Sequence, residues 1–187
     1  MNNKPTREEA ENAVRTLISW AGDNPNREAL IDTPKRVVDS YSELFSGYNQ
    51  TVDKQISKTF ENNNNYDDMI ILRNIILESH CEHHMVPITG KAMIAYIPDK
   101  KIIGLSNIAR IVDMFSKRLQ IQERLVMEIA TCLNKITEAK GVGVIIESSH
   151  QCLSTRGAYK PGSLMRTSYM LGSFKESSIR KEFLDSL

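Results

Sequence analysis

The sequence predicts an α+β fold: an antiparallel sheet with helices on one face, preceded by an N-terminal helical arm. Three observations carry that expectation. Strand-like apolar runs lie on both sides of a pair of helical segments, which suits helices packed against one sheet better than alternating βαβ units. Apolar residues at helical spacing also mark the chain ahead of residue 61. Between these regions, 61–68 (ENNNNYDD) carries too little apolar surface to be buried and reads as a loop. Residues 1–60 are accordingly expected to form the arm, and 61–187 the remainder of what is one domain overall. No internal repeat is visible.

Thr6 and Glu9 form a capping box, and Ala10, Ala13, Val14, Leu17 and Ile18 then make one apolar face. A second helix is expected from Thr33 as cap with Pro34 in the first turn. Its face is Val37, Val38, Tyr41, Leu44 and Phe45, with Gly47 as the stop. Past the loop, 69–77 and 88–97 read as strands, and Pro98-Asp99 turns the chain into a shorter one, 101–104. Ser106 can cap a helix bearing Ile108, Ile111, Val112 and Phe115. Another helix spans about 122–139 through Leu125, Ile129, Leu133 and Ile136, with Gly141 ending it. Strands 142–148 and 167–172 follow, then a short helix at 178–184.

The 187 residues suffice for one domain with a sizeable core. Hydrophobic residues are 41% and charged residues 25%, as in ordinary globular chains. A net charge of +1 argues against general nucleic-acid or membrane binding. No apolar run approaches the ~20 residues of a membrane span. Met1-Asn2-Asn3-Lys4-Pro5 lacks the apolar core of a signal peptide, so a cytoplasmic protein is expected. In a reducing compartment Cys81, Cys132 and Cys152 point to metal or catalysis before disulfides.

The four histidines sharpen that point. His80, His83 and His84 lie in SHCEHH with Cys81, and His150 lies in SHQC with Cys152. Zinc favours thiolate and imidazole, and Cys-x-x-His is a familiar ligand pair. Cys81 and His84 form that pair, with Cys152 as distant third. Three protein ligands leave a position for water, as in a catalytic site. A structural site with His80 or His83 as fourth ligand fits the spacing equally well. Cys132, mid-helix among apolar neighbours, reads as core. Taken alone, Glu123 and Arg110 read as solvated helix charges, Ser106 as a helix cap, Arg36 as a surface cation and Arg156 as a loop residue.

Several motifs in order resemble the GTP cyclohydrolase I family: Cys81-Glu82-His83-His84, Gly90-Lys91, Ala95-Tyr96-Ile97-Pro98, Ile103-Gly104-Leu105-Ser106, Gln120-Ile121-Gln122-Glu123-Arg124-Leu125, His150-Gln151-Cys152, Arg156-Gly157 and Met170-Leu171-Gly172. The match runs from about Thr33 to the C-terminus. The resemblance implies the tunnelling fold, with subunit sheets joining into a barrel, and a homodecamer of two stacked pentamers with active sites between subunits. It implies Zn2+ held by Cys81, His84 and Cys152, and His83 and His150 as the proton-handling histidines. It further implies that Glu123, with Gln122 beside it, reads the guanine edge. Ser106, Arg110 and Arg156 would bind the triphosphate, with Arg36 reaching in from a neighbouring subunit. The implied reaction is hydrolytic opening of the guanine imidazole ring of GTP, releasing formate and forming 7,8-dihydroneopterin triphosphate. His150, two residues from Cys152, would share a face with it on an extended segment.

The chain departs from the family pattern at two places. Asn107 stands where many members carry lysine, so one phosphate-facing cation is missing, with Lys160 and Arg166 as candidate substitutes. His80 stands where a non-histidine residue is usual and is expected to face solvent. Two other classes compete with the family reading: a non-catalytic zinc-stabilised assembly protein, and a nitrile reductase of deazaguanine metabolism. The first leaves Glu123, His83 and His150 unexplained; the second wants a nucleophilic cysteine free of metal.

Overall fold

A computed structural model of the chain describes residues 4–56 and 58–186. It divides into two compact units, Met1–Ser46 and Gly47–Leu187.

In the first unit, α1 (Arg7–Trp20) opens on the expected capping box. The Thr6 hydroxyl accepts from the Glu9 amide at 3.2 Å, and the Glu9 carboxylate accepts from the Thr6 amide at 2.7 Å. The next helix, α2 (Thr33–Leu44), starts one residue earlier than its sequence suggests. Asp32 holds the cap position, and Thr33 and Pro34 sit in the first turn, where a missing amide costs nothing. That helix ends at Leu44, ahead of Gly47. Arg7 ties the two helices together through Asp39 at 2.7 Å. No residue of α1 is buried, and Trp20 is 88% exposed.

The second unit begins with two elements too short for their periodicity to register in the sequence, α3 (Val52–Gln55) and β1 (Thr59–Glu61). Strands β2 (Ile70–Cys81) and β3 (Pro87–Ile97) follow, then β4 (Lys101–Ile103), α4 (Leu105–Ser116) and the two-residue β5 (Leu119–Gln120). Then come α5 (Gln122–Thr137), β6 (Gly141–His150), α6 (Gln151–Ser154), β7 (Met165–Gly172) and α7 (Ser177–Asp185). The main sheet has the order β5-β2-β3-β6-β7, antiparallel except for the β2–β5 contact. The β1–β4 pair stands as a separate two-stranded sheet.

Alternation along the strands assigns the two faces. Ala92, Ile94 and Tyr96 of β3 and Val142, Val144 and Ile146 of β6 pack with Ile108, Ile111 and Val112 of α4 and Leu125, Ile129 and Leu133 of α5. Both long helices therefore lie on one face, as expected. The intervening residues Ala95 and Ile145 face the other way and meet Phe174 and Phe183, so α7 covers part of the opposite face as well. Burial on both faces explains the unbroken apolar run of β6. At Gly143 a Cβ would come within 2.8 Å of the Phe174 ring and 2.9 Å of the Phe183 ring. At Gly90 a Cβ would meet the Glu147 carbonyl at 2.2 Å, so glycine allows β3 and β6 to approach there.

Several boundaries differ from expectation, and each shift bears on the site. Strand β2 runs on to Cys81 because a bulge between Leu72 and Ile75, with Asn74 at φ +58°, lets pairing resume beyond it. Gly104, not Ser106, is the cap residue of α4, and Ser106 lies inside the first turn. The last long helix ends at Thr137 with Glu138 left-handed, while Gly141 starts β6. No described helix is long and apolar enough to cross a membrane.

Candidate metal centre and its surroundings

Register brings the two cysteine-bearing segments together. On adjacent strands Ser79 pairs with Ile88, and Ile88 pairs with His150. Just beyond this row, β2 ends at Cys81 and the chain reverses into β3. The Cys81 carbonyl accepts from the Met85 amide at 2.7 Å, and the Val86 carbonyl accepts from the Cys81 amide at 2.9 Å. On the other side of β3, β6 ends at His150 and α6 begins. Cys152 therefore sits on a helical turn, which corrects the expectation that it shares an extended face with His150.

The result is a convergent donor set. The ligand atoms of Cys81, His84 and Cys152 all lie within 4.8 Å of one another. Cys81 is buried, Cys152 half-buried and His84 exposed, so the set has an inner wall and an open side. Burial pushes the Cys152 thiol up, and the adjacent Cys81 pushes it the same way. Two thiols this close suit a cation that would hold both as thiolates. His83 Nδ1 lies 3.8 Å from Cys81 Sγ. Arg156 donates to Nε2 of His84, which joins the α6 side to the turn after β2.

The turn itself is braced from α5. Arg124 reaches the Glu82 carboxylate at 2.5 Å and the Leu119 carbonyl at 3.0 Å, and its Nε meets Gln120 Oε1 at 2.9 Å. The Glu82 amide donates to the Gln120 carbonyl at 3.1 Å. Nothing in the sequence signals the link to Glu82, which lies 42 residues from Arg124 and meets it only on folding.

His150 and α5 meet in a buried polar knot. Gln122 is 1% exposed, and its Nε2 donates to the carbonyls of Ile146 (2.9 Å) and Met165 (3.0 Å). Its Oε1 meets the Ser148 hydroxyl at 2.6 Å and His150 Nε2 at 2.8 Å. The side-chain amide is thus engaged with partners inside the chain, where the expectation was a contact with substrate beside Glu123. Glu123 is exposed on the first turn of α5. Burial lowers the His150 pKa, and the charge of Glu123 acts in the opposite sense.

Ser106 and Arg110 are both exposed, one turn apart on α4. Arg36 belongs to the first unit, exposed on α2 with Asp32 at 3.4 Å. Asn107 is 2% exposed and donates to the Lys58 carbonyl at 3.0 Å, so its side chain serves the fold. Lys160 and Arg166 are exposed, the latter opposite Glu147 in the β6–β7 pair. His80 is buried, contrary to the expectation that it faces solvent, because β2 continues through it between β3 and β5. Cys132 lies in the helix-side core as expected, its thiol pushed up to about 11 by burial.

Residues 10–187 match a family model described as GTP cyclohydrolase I. Among curated proteins, GTP cyclohydrolase 1 of Maricaulis maris (strain MCS10) is 52% identical over 97% of this chain and 89% of its own length. GTP cyclohydrolase 1 of Allorhizobium ampelinum (strain ATCC BAA-846 / DSM 112012 / S4) is 50% identical over 92% of this chain and 86% of its own. Among solved structures, the archaeosine synthase QueF-Like in the apo form aligns over 56% of this chain and 93% of its own, at 16% identity and a TM-score of 0.47.

Proposed function

The chain belongs to the GTP cyclohydrolase I family and is an enzyme of that activity, and we propose that it works through a zinc ion held by Cys81, His84 and Cys152. The observation that carries this reading is the convergence of their donor atoms within 4.8 Å. Two thiols and one imidazole make a soft, three-ligand set that fits zinc and leaves room for a further ligand. When bound, zinc supplies the Lewis acidity that makes water nucleophilic near neutral pH.

The chain's own groups take the remaining roles. The Glu123 carboxylate accepts from N1–H and the 2-amino group of guanine, a donor pair that adenine lacks. His150 delivers a proton to N7 as water adds at C8 and the C8–N9 bond breaks. A second water then releases the one-carbon unit as formate. His83 supplies a proton to the ribose ring oxygen as the sugar opens; rearrangement and ring closure give 7,8-dihydroneopterin triphosphate. Ser106, Arg110 and Arg156 bind the triphosphate, and Arg36 of a neighbouring copy completes that contact. Residues 1–60 serve as the helical arm and 61–187 as the catalytic domain. Copies assemble into a homodecamer of two pentamers in the cytoplasm, their sheets joined into a barrel. The unburied α1 and exposed Trp20 support such an assembly.

The test is turnover. Zinc-loaded protein should convert GTP, but not ATP, into formate and a product that becomes a fluorescent pterin on oxidation. His150→Ala should keep its zinc and lose turnover by roughly 100-fold or more, the scale of a lost general acid. Near-normal turnover in that variant would remove His150 from the mechanism. Absence of GTP turnover in zinc-replete protein would sink the zinc-dependent reading as a whole.

A further inference from the structure

We propose that Gln122 is a positioning residue that holds His150 in the tautomer with its proton on Nε2, so that Nδ1 is the nitrogen that exchanges a proton with substrate. This rests on the reading of His150 as the proton donor. The inference starts from two carbonyl groups. The oxygens of Ile146 and Met165 can only accept, and they lie 2.9 and 3.0 Å from one end of the Gln122 amide. That end must be the NH2 group. The other end is therefore the oxygen, which can only accept. His150 Nε2, 2.8 Å away, must then be the donor. The Ser148 hydroxyl donates to the same oxygen at 2.6 Å and helps hold it in place.

The local fold explains the arrangement. Gln122 is the first residue of α5, and Ser148 and His150 alternate along β6, so their side chains share a face. Both amide hydrogens and both acceptances of Gln122 are used within the chain, and the side chain is 1% exposed. Turning the amide over would set its oxygen against two carbonyl oxygens. Moving the imidazole proton to Nδ1 would set the Nε2 lone pair against Gln122 Oε1. Each change leaves buried polar atoms without a partner, so both are disfavoured. A neutral histidine presents only one lone pair, so with one proton fixed on Nε2 it is Nδ1 that takes up a second proton from solvent, and the resulting imidazolium passes that proton to substrate.

The experiment is 15N magnetic resonance on full-length, zinc-loaded protein labelled at histidine, at mildly alkaline pH. The chain has four histidines, and His150→Asn identifies the His150 signals by difference. In the parent protein the protonated nitrogen of His150 should be Nε2; a proton on Nδ1 overturns the proposal. Gln122→Met removes the acceptor while keeping the volume. It should let both tautomers appear and lower kcat by roughly 100-fold, the scale of a misplaced catalytic group, with KM for GTP changed by less than about 3-fold, as expected when ground-state binding is untouched. A Gln122→Met enzyme with raised KM and unchanged kcat would make Gln122 a substrate contact and overturn the proposal. Should that variant fail to fold, the parent spectrum decides alone. Full activity in His150→Asn would instead remove the proton-donor role and leave the tautomer result standing, so the two failures are distinguishable.

Discussion

The thiol of Cys132 sits in the apolar interior formed by α4, α5 and the sheet, and burial raises its pKa from the ordinary 9.0 to about 11. Below pH 9 the thiol is protonated in both folded and unfolded chains, so this group's contribution to stability is fully present. Above pH 9 the unfolded chain releases the proton while the folded chain retains it up to about pH 11. Unfolding then gains from ionisation, and stability falls as pH rises through that window. The loss attributable to Cys132 should be about 2 to 3 kcal/mol. Denaturation of the parent and of Cys132→Ala, in reductant and at fixed protein concentration, isolates it. The stability advantage of the parent should shrink by that amount between pH 8.5 and 11, and a pH-independent difference would refute the assignment. Cys81 and Cys152 are chemically identical to Cys132; partners and exposure set them apart.

At the scale of elements, the turn between β2 and β3 carries Cys81, Glu82, His83 and His84, and its position depends on α5 through Arg124. The guanidinium bridges the Glu82 carboxylate and the Leu119 carbonyl, tying the turn that carries the candidate ligands to β5 and the start of α5. Arg124 and Glu82 are each about one-third exposed, so the ion pair itself contributes modestly to global stability. Its larger effect is on the geometry of the turn. Arg124→Met, which keeps the apolar stem, should weaken zinc binding by about 10- to 100-fold, the usual scale for a lost outer-shell partner. It should lower global stability by less than about 1 kcal/mol. Chelator competition alongside denaturation separates the two quantities. Unchanged zinc affinity would confine Arg124 to a surface role.

For the whole molecule, Cys81 and Cys152 lie far apart along the chain and close together in space. Their sulfur atoms lie within 4.8 Å of each other, and a disulfide needs about 2.05 Å. Zinc would hold both thiolates and keep them apart. Stripped of metal and exposed to air, the pair should oxidise to a Cys81–Cys152 disulfide after small side-chain movements. That species should be inactive, and reductant with zinc should restore it. Cys132 should stay a free thiol, held back by burial and its raised pKa. Non-reducing peptide mapping of chelator-treated protein distinguishes the pairings. Cys81 and Cys152 both free after prolonged oxidation, or either one joined to Cys132, would count against a shared metal.

Much of this protein was legible from residue order alone. Apolar spacing located the long helices and the central strands, because 3.6- and 2-residue periods must repeat over many residues to bury a face. The clustering of soft ligands in two short segments marked Cys81, His84 and Cys152, because so few other side chains bind zinc well. The short elements β5, α6, α3 and β1 carry no period and went unseen, whereas β4 was marked by the Pro98-Asp99 turn before it. The extent of β2 depended on a bulge and on pairing with two neighbours, which placed His80 inside instead of at the surface. Only the tertiary structure shows the hydrogen-bond partners of Gln122. Its neighbours Ile146, Ser148, His150 and Met165 are 24 to 43 residues away, and hydrogen bonds across that separation leave no local pattern. Sequence determines which groups can bond; where they meet, and in what protonation state, follows from the packing of α5 against β6 and β7.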